Sequence, residues 1–206
     1  ALEALHYTRY LKSDLANDPE AKDLNWKAVQ LFISRAQNLP GSNDQKWASD
    51  DPGNKGGFIY FPGHSMAGEQ KLDNGKTALR SYGSMSYAGL LSMIYAQVDK
   101  NDPRVKSVSD WLSSNYALDG NPGMGQEGLY YYYQLMAKAL SAAGIDTLTL
   151  KDGRKVNWRQ DMAKRLLNLQ NAEGYWSNQN GRWMEKDPLL VTSYSTITLE
   201  ILQRGL

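Results

Sequence analysis

The chain is 206 residues long, 41% hydrophobic and 22% charged, proportions ordinary for a globular protein that buries one sizeable core. Its formal net charge of +1 gives no electrostatic reason to expect nucleic acid or an anionic membrane surface as partner. No apolar run approaches the roughly 20 residues that span a bilayer, and the absence of cysteine excludes disulfides, a thiol nucleophile and any thiolate metal ligand.

In chain order, residues 2–15 read as a leading helix. Trp26, Val29, Ile33 and Ala36 then fall at spacings of three and four, with Lys27, Gln30 and Arg35 between them: an amphipathic helix with one solvated side. Residues 39–76 are rich in Gly, Pro, Asn and Asp. So long a connection suggests a functional or a disordered loop, expected to lie over one end of the helices. Residues 82–98 are apolar or small almost all round, which predicts a helix buried on most sides.

Asp102-Pro103 reads as an N-cap and first helical position, opening a second amphipathic helix through Val105, Val108 and Leu112. Residues 129–143 form another apolar helix, capped by Gly144. Trp158, Met162, Leu166 and Leu169 mark a third amphipathic helix. Residues 189–202 form a third apolar one, with a stripe of Leu190, Tyr194, Ile197 and Ile201 and small residues on its other faces. Strand is expected to be nearly absent, with at most a short hairpin near 58–61 or 148–156.

The order is outer, inner, outer, inner, outer, inner, in units of about 25–98, 102–144 and 157–204. Residues 1–206 read as one all-α domain of about three and a half helix hairpins, with long loops at one end. Asn25-Trp26-Lys27 and Asn157-Trp158-Arg159 open two outer helices, and Gln37-Asn38 and Gln170-Asn171 close them. Gly57-Phe58 and Gly174-Tyr175-Trp176 then precede an inner helix. Echoes of this kind indicate a helical repeat architecture.

Gln170-Asn171-Ala172-Glu173-Gly174-Tyr175-Trp176 resembles the Q-x-x-x-G-x-W repeat of squalene and oxidosqualene cyclases. The segments Tyr82-Gly83-Ser84-Met85-Ser86-Tyr87-Ala88-Gly89-Leu90 and Gly123-Met124-Gly125-Gln126-Glu127-Gly128-Leu129-Tyr130 look like inner-helix starts of bacterial proteins carrying that repeat. The resemblance covers most of residues 25–204. It implies a terpenoid-cyclase/prenyltransferase α/α-toroid, two concentric layers of helices whose inner N-termini line a central cavity. Positions 81–84, where the cyclases carry Asp-x-Asp-Asp, hold no acid, and the zinc-ligating Cys of the protein prenyltransferases is missing. A closed toroid of this class holds roughly six helix pairs, so the chain is expected to be a fragment of a longer protein, an open half-toroid or half of a self-associating pair.

Glu127 falls at an inner-helix start, where a carboxyl can act as a cavity acid or simply favour the helix dipole. His64, in a loop, can be a general base or an exposed structural residue; His6 lies on the leading helix. Tyr82, Tyr87, Tyr131, Tyr132 and Tyr194 can line an aromatic cavity or pack the core. Arg182, Trp183, Glu185 and Asp187 can contact a ligand at the cavity mouth or form loop ion pairs. No metal site or cofactor is indicated.

The expected partner is a small apolar, isoprenoid-like ligand. The alternatives are a uronate-lyase-like enzyme, with a carbohydrate ligand held by Arg182, Arg80, Lys55 and His64, and a non-catalytic interaction module. The start at Ala1, without Met or a signal-peptide pattern, predicts a processed or truncated N-terminus and inclines the compartment toward periplasmic or secreted.

Overall fold

The computed structural model describes residues 2–8 and 25–205. Among them are seven α-helices: α1 (Leu2–Thr8), α2 (Trp26–Arg35), α3 (Gly83–Tyr95), α4 (Pro103–Ser114), α5 (Leu129–Ala142), α6 (Trp158–Leu169) and α7 (Pro188–Gln203). Two antiparallel hairpins, β1 (Glu69–Lys71) with β2 (Thr77–Leu79) and β3 (Leu148–Thr149) with β4 (Lys155–Val156), complete the regular structure with a 3-10 turn at Arg182–Met184. Residues 9–15 of the expected leading helix lie outside the described residues.

The helices start where side chains can take over unpaired backbone donors. Asn25, Asp102, Asn157 and Asp187 accept from the backbone N–H of Ala28, Arg104, Gln160 and Leu189. Pro103 and Pro188 follow as first helical residues, where a missing N–H costs nothing. At the far end of α5, Gly144 is left-handed, and Ile145 N–H reaches back to Leu140 O at 3.0 Å. This is the Schellman closure the sequence signals.

Helices α3, α5 and α7 stand side by side, α5 in the middle. Outside them α2 and α4 pack on α3, and α6 packs on α7. Between the layers lies a core of aromatic and aliphatic side chains, including Tyr87, Tyr132, Tyr133, Trp158, Met136 and Leu166. Helix α1 joins at the edge: His6 Nδ1 donates to Tyr95 O of α3 at 3.2 Å, and Glu3 pairs with Lys138 of α5 at 2.9 Å.

Small residues set how closely the inner layer packs. A Cβ on Gly83 would sit 2.6 Å from Pro122 Cδ and 2.8 Å from Tyr132 Cε2, and one on Gly89 would sit 2.5 Å from the Phe58 ring. On α7 the buried face is Val191, Ser195, Thr198 and Leu202, one residue round from the expected Leu190-Tyr194-Ile197-Ile201 stripe. Ile197 is exposed. The small Ser195 and Thr198 let α7 approach its neighbours, and the larger side chains turn aside.

The repeat echoes correspond to matching hydrogen bonds. Gln37 Nε2 donates to Gly56 O at 2.9 Å, and Gln170 Nε2 donates to Gly174 O at 2.8 Å. Both glycines have φ of +88°, a conformation that disfavours any side chain. Asn38 N–H bonds to Gly57 O, as Asn171 N–H bonds to Tyr175 O. The next residue, Phe58 or Trp176, gives its N–H to a hydroxyl on the following inner helix, Ser86 or Thr192. Residues 39–55 are thus a long excursion inside a turn that spans four residues at its second occurrence.

That excursion is held by buried amides. Asn38 Nδ2 donates to Leu79 O and Ser81 Oγ, and Asn54 Oδ1 accepts from Ser81 N–H at 2.8 Å. The β3–β4 hairpin falls within the expected 148–156. The other expected location, 58–61, holds isolated bridges instead, and the hairpin forms at β1–β2.

Candidate functional site

The N-terminal turns of α3 and α5 and the second turn of α7 converge on a cavity of about 410 Å³. Its wall is mostly aromatic and thioether: Tyr60 from the long loop, Tyr82 and Met85 of the first inner helix start, Met124, Tyr131 of α5, Trp183 and Met184 of the 3-10 turn, and Tyr194 of α7. Ser84, Asn121, Glu127, Gly128 and Glu185 complete it.

Two side chains brought in from later in the chain hold the helix starts in place. Asn121 Oδ1 accepts Ser84 N–H at 3.0 Å, and its Nδ2 donates to Ser84 Oγ at 3.2 Å and Glu127 O at 3.1 Å. Glu185 is fully buried, and its Oε1 accepts from the N–H groups of Tyr130 and Tyr131 at 3.0 and 2.9 Å. Its Oε2 accepts from Asn178 Nδ2 at 2.7 Å. A carboxylate on the first donors of a helix is stabilised by the dipole as well as by the hydrogen bonds. In each case the segment ahead of the next inner helix caps the previous one.

At the mouth, Arg182 Nη1 donates to Glu127 Oε2 at 2.6 Å, and the guanidinium lies 5.2 Å from the Trp183 ring centroid. Trp183 and Met184 both have positive φ, 61° and 64°. Such backbone costs about 1–3 kcal/mol per residue and collects at functional sites. Met184 is 70% exposed, so the strained turn also leaves apolar surface in water.

Burial raises the pKa values of the Tyr82, Tyr131 and Tyr194 hydroxyls. Desolvation first, then the neighbouring Tyr60 and Tyr131, push Tyr82 well up; desolvation, then Tyr194 and Tyr60, raises Tyr131. Both remain neutral hydroxyls near neutral pH.

Of the residues expected at a ligand site, Tyr82, Tyr131, Trp183, Tyr194 and Glu127 line this cavity, with Arg182 at its edge bound to Glu127. Tyr87 and Tyr132 do not. Both are buried in the core with rings 5.7 Å apart, and Tyr132 Oη donates to Ala117 O at 2.8 Å. Consecutive helical residues point about 100° apart, so Tyr131 and Tyr132 cannot share one wall.

His64 is exposed, stacked on Phe61 at 4.9 Å and 6.5 Å from the Tyr60 ring, outside the cavity wall. Arg80 and Lys55 are likewise exposed and outside it. Among the described residues no group of three or more His, Asp or Glu could hold a metal ion. No described helix is long and apolar enough to cross a membrane.

Sequence reasoning passed over Tyr60, Asn121 and the three methionines. Tyr60 and Met124 lie in loops without periodicity, and Asn121 reads as an ordinary turn residue. Glu185 was visible as a mouth residue, but its capping partner lies 54 residues away. Compared with known protein families, curated proteins and solved structures, the chain matches none.

Proposed function

We propose that the chain is a squalene-cyclase/prenyltransferase-repeat protein, part of an α/α-toroid, that holds an apolar, isoprenoid-like ligand at the N-terminal ends of its inner helices. The observation that carries this reading is the cavity wall: four tyrosines, one tryptophan and three methionines around about 410 Å³. Ligand sites are concave and mostly apolar with a few converging polar groups. Thioethers adapt to irregular apolar shapes. The matching turns at Gln37 and Gln170 support the repeat.

The reading is one of binding. Positions 81–84 offer no proton donor of the cyclase type, and Glu127 is an ion-paired carboxylate. A uronate ligand would find no Lys, Arg or His in the wall.

Equilibrium dialysis with labelled farnesol tests the proposal. Saturable binding near one per chain is expected, and it should be lost in Met85→Trp, which fills the cavity. Absence of saturable binding overturns it. A native mass spectrum showing a homodimer without any adduct would move the reading to an interaction module.

A further inference from the structure

We propose that the ligand of this cavity carries an alkylammonium head on its apolar body, and that anionic heads such as carboxylate or diphosphate are rejected. This rests on the cavity reading above and names the ligand class it takes.

The charge inventory is one-sided. The charged residues of the wall are Glu127 and Glu185. Glu185 is occupied on both oxygens, so it contributes negative field and no free contact. Glu127 gives its Oε2 to Arg182 at 2.6 Å and stands in the cavity wall. Tyr60, Tyr82, Tyr131, Trp183 and Tyr194 stand in the same wall, and aromatic rings attract a cation through their quadrupoles.

The usual receivers of an anion are largely engaged. Helix N-termini bind anions through unpaired N–H groups, and here several of those groups already have partners. Tyr130 and Tyr131 N–H serve Glu185, Ser84 N–H serves Asn121, and Leu189 N–H serves Asp187. A phosphate or carboxylate entering the cavity would meet two like charges in the wall, and the nearest cation, Arg182 at the mouth, is already paired with one of them.

Arg182 shows that the mouth accepts a nitrogen cation. Its guanidinium is held by the Glu127 carboxylate and lies 5.2 Å from the Trp183 ring centroid. The pair is half-exposed, with side chains 44% and 29% accessible. An ammonium can therefore reach Glu127 beside the guanidinium or displace it.

The test is calorimetric titration of the whole chain with three probes of equal chain length: octyltrimethylammonium, 1-octanol and octanoate. Affinity should fall in that order, by about tenfold or more from first to last. Glu127→Gln should weaken the cation by about fivefold, leave octanol unchanged and strengthen octanoate, since Arg182 is then unpaired. Raising the salt should weaken the cation alone. Octanoate binding as tightly as the cation, or indifference of the cation to Glu127→Gln, overturns the head-group assignment while octanol binding lost in Met85→Trp keeps the cavity reading. Failure of all three probes overturns both.

Discussion

Glu185 closes the start of α5 by accepting the Tyr131 N–H at 2.9 Å, across 54 residues of chain, from a position with no solvent exposure. The same Tyr131 presents its ring to the cavity. One contact therefore fixes the end of the central inner helix and aims a wall residue.

Glu185→Ala removes a charged acceptor from two backbone donors and Asn178. A loss of about 3 kcal/mol in urea-denaturation stability is expected, with Glu185→Gln losing about half as much because its amide oxygen still accepts. No loss in Glu185→Gln would mean the charge contributes nothing through the helix dipole.

Gln97 ends α3 with φ of 55°, its N–H on Ile94 O at 2.9 Å and the Val98 N–H on Met93 O at 3.0 Å. Gly144 occupies the same place after α5. A side chain in this conformation costs about 1–2 kcal/mol, partly offset by the greater freedom of unfolded glycine. Gln97→Gly should raise stability by about 0.5–1 kcal/mol, read as a higher denaturation midpoint at unchanged slope.

Gly83→Ala and Gly89→Ala should each destabilise, although alanine is the better helix former. The new methyl would meet Pro122, Asn121 and Tyr132, or the Phe58 ring, at 2.5–2.8 Å. Overpacking of this kind costs about 1–3 kcal/mol, more than the roughly 1 kcal/mol propensity gain. Thermal melts of the two variants against the parent chain decide it.

Alkaline stability should follow the buried phenols. Desolvation, then the neighbouring Tyr133, pushes Tyr130 up to about 12, and burial moves Tyr87, Tyr116 and Tyr132 upward as well. A raised folded-state value means the protonated form is favoured by folding. This stability is complete below the unfolded value near 10 and is lost as pH climbs through the folded values. In a spectrophotometric titration, much of the tyrosinate signal should appear together with unfolding instead of developing at pH 10. A full signal from the native chain at pH 10 would contradict the burial.

Much of the local structure was legible in the sequence. The start at Asp102-Pro103, the Gly144 stop and the succession of six helices from Trp26 onward all appear as expected. Each is local: a cap needs a partner two or three residues on, and a left-handed stop favours glycine within the same few residues.

The tertiary structure alone decided the rotation of each inner helix and the partners of its first turn. The run Tyr130-Tyr131-Tyr132-Tyr133 is equally aromatic on every side. Packing against α3 and α7 put Tyr132 in the core and Tyr131 on the cavity. On α7 it turned Val191, Ser195, Thr198 and Leu202 inward, not the stripe of larger residues. Glu185 and Asn121 gained their roles from helices 54 and 37 residues away. Periodicity repeats with the backbone and so is written along the chain. Which side of a uniformly apolar helix faces a cavity depends on the volumes of its neighbours, and those meet only in the folded state.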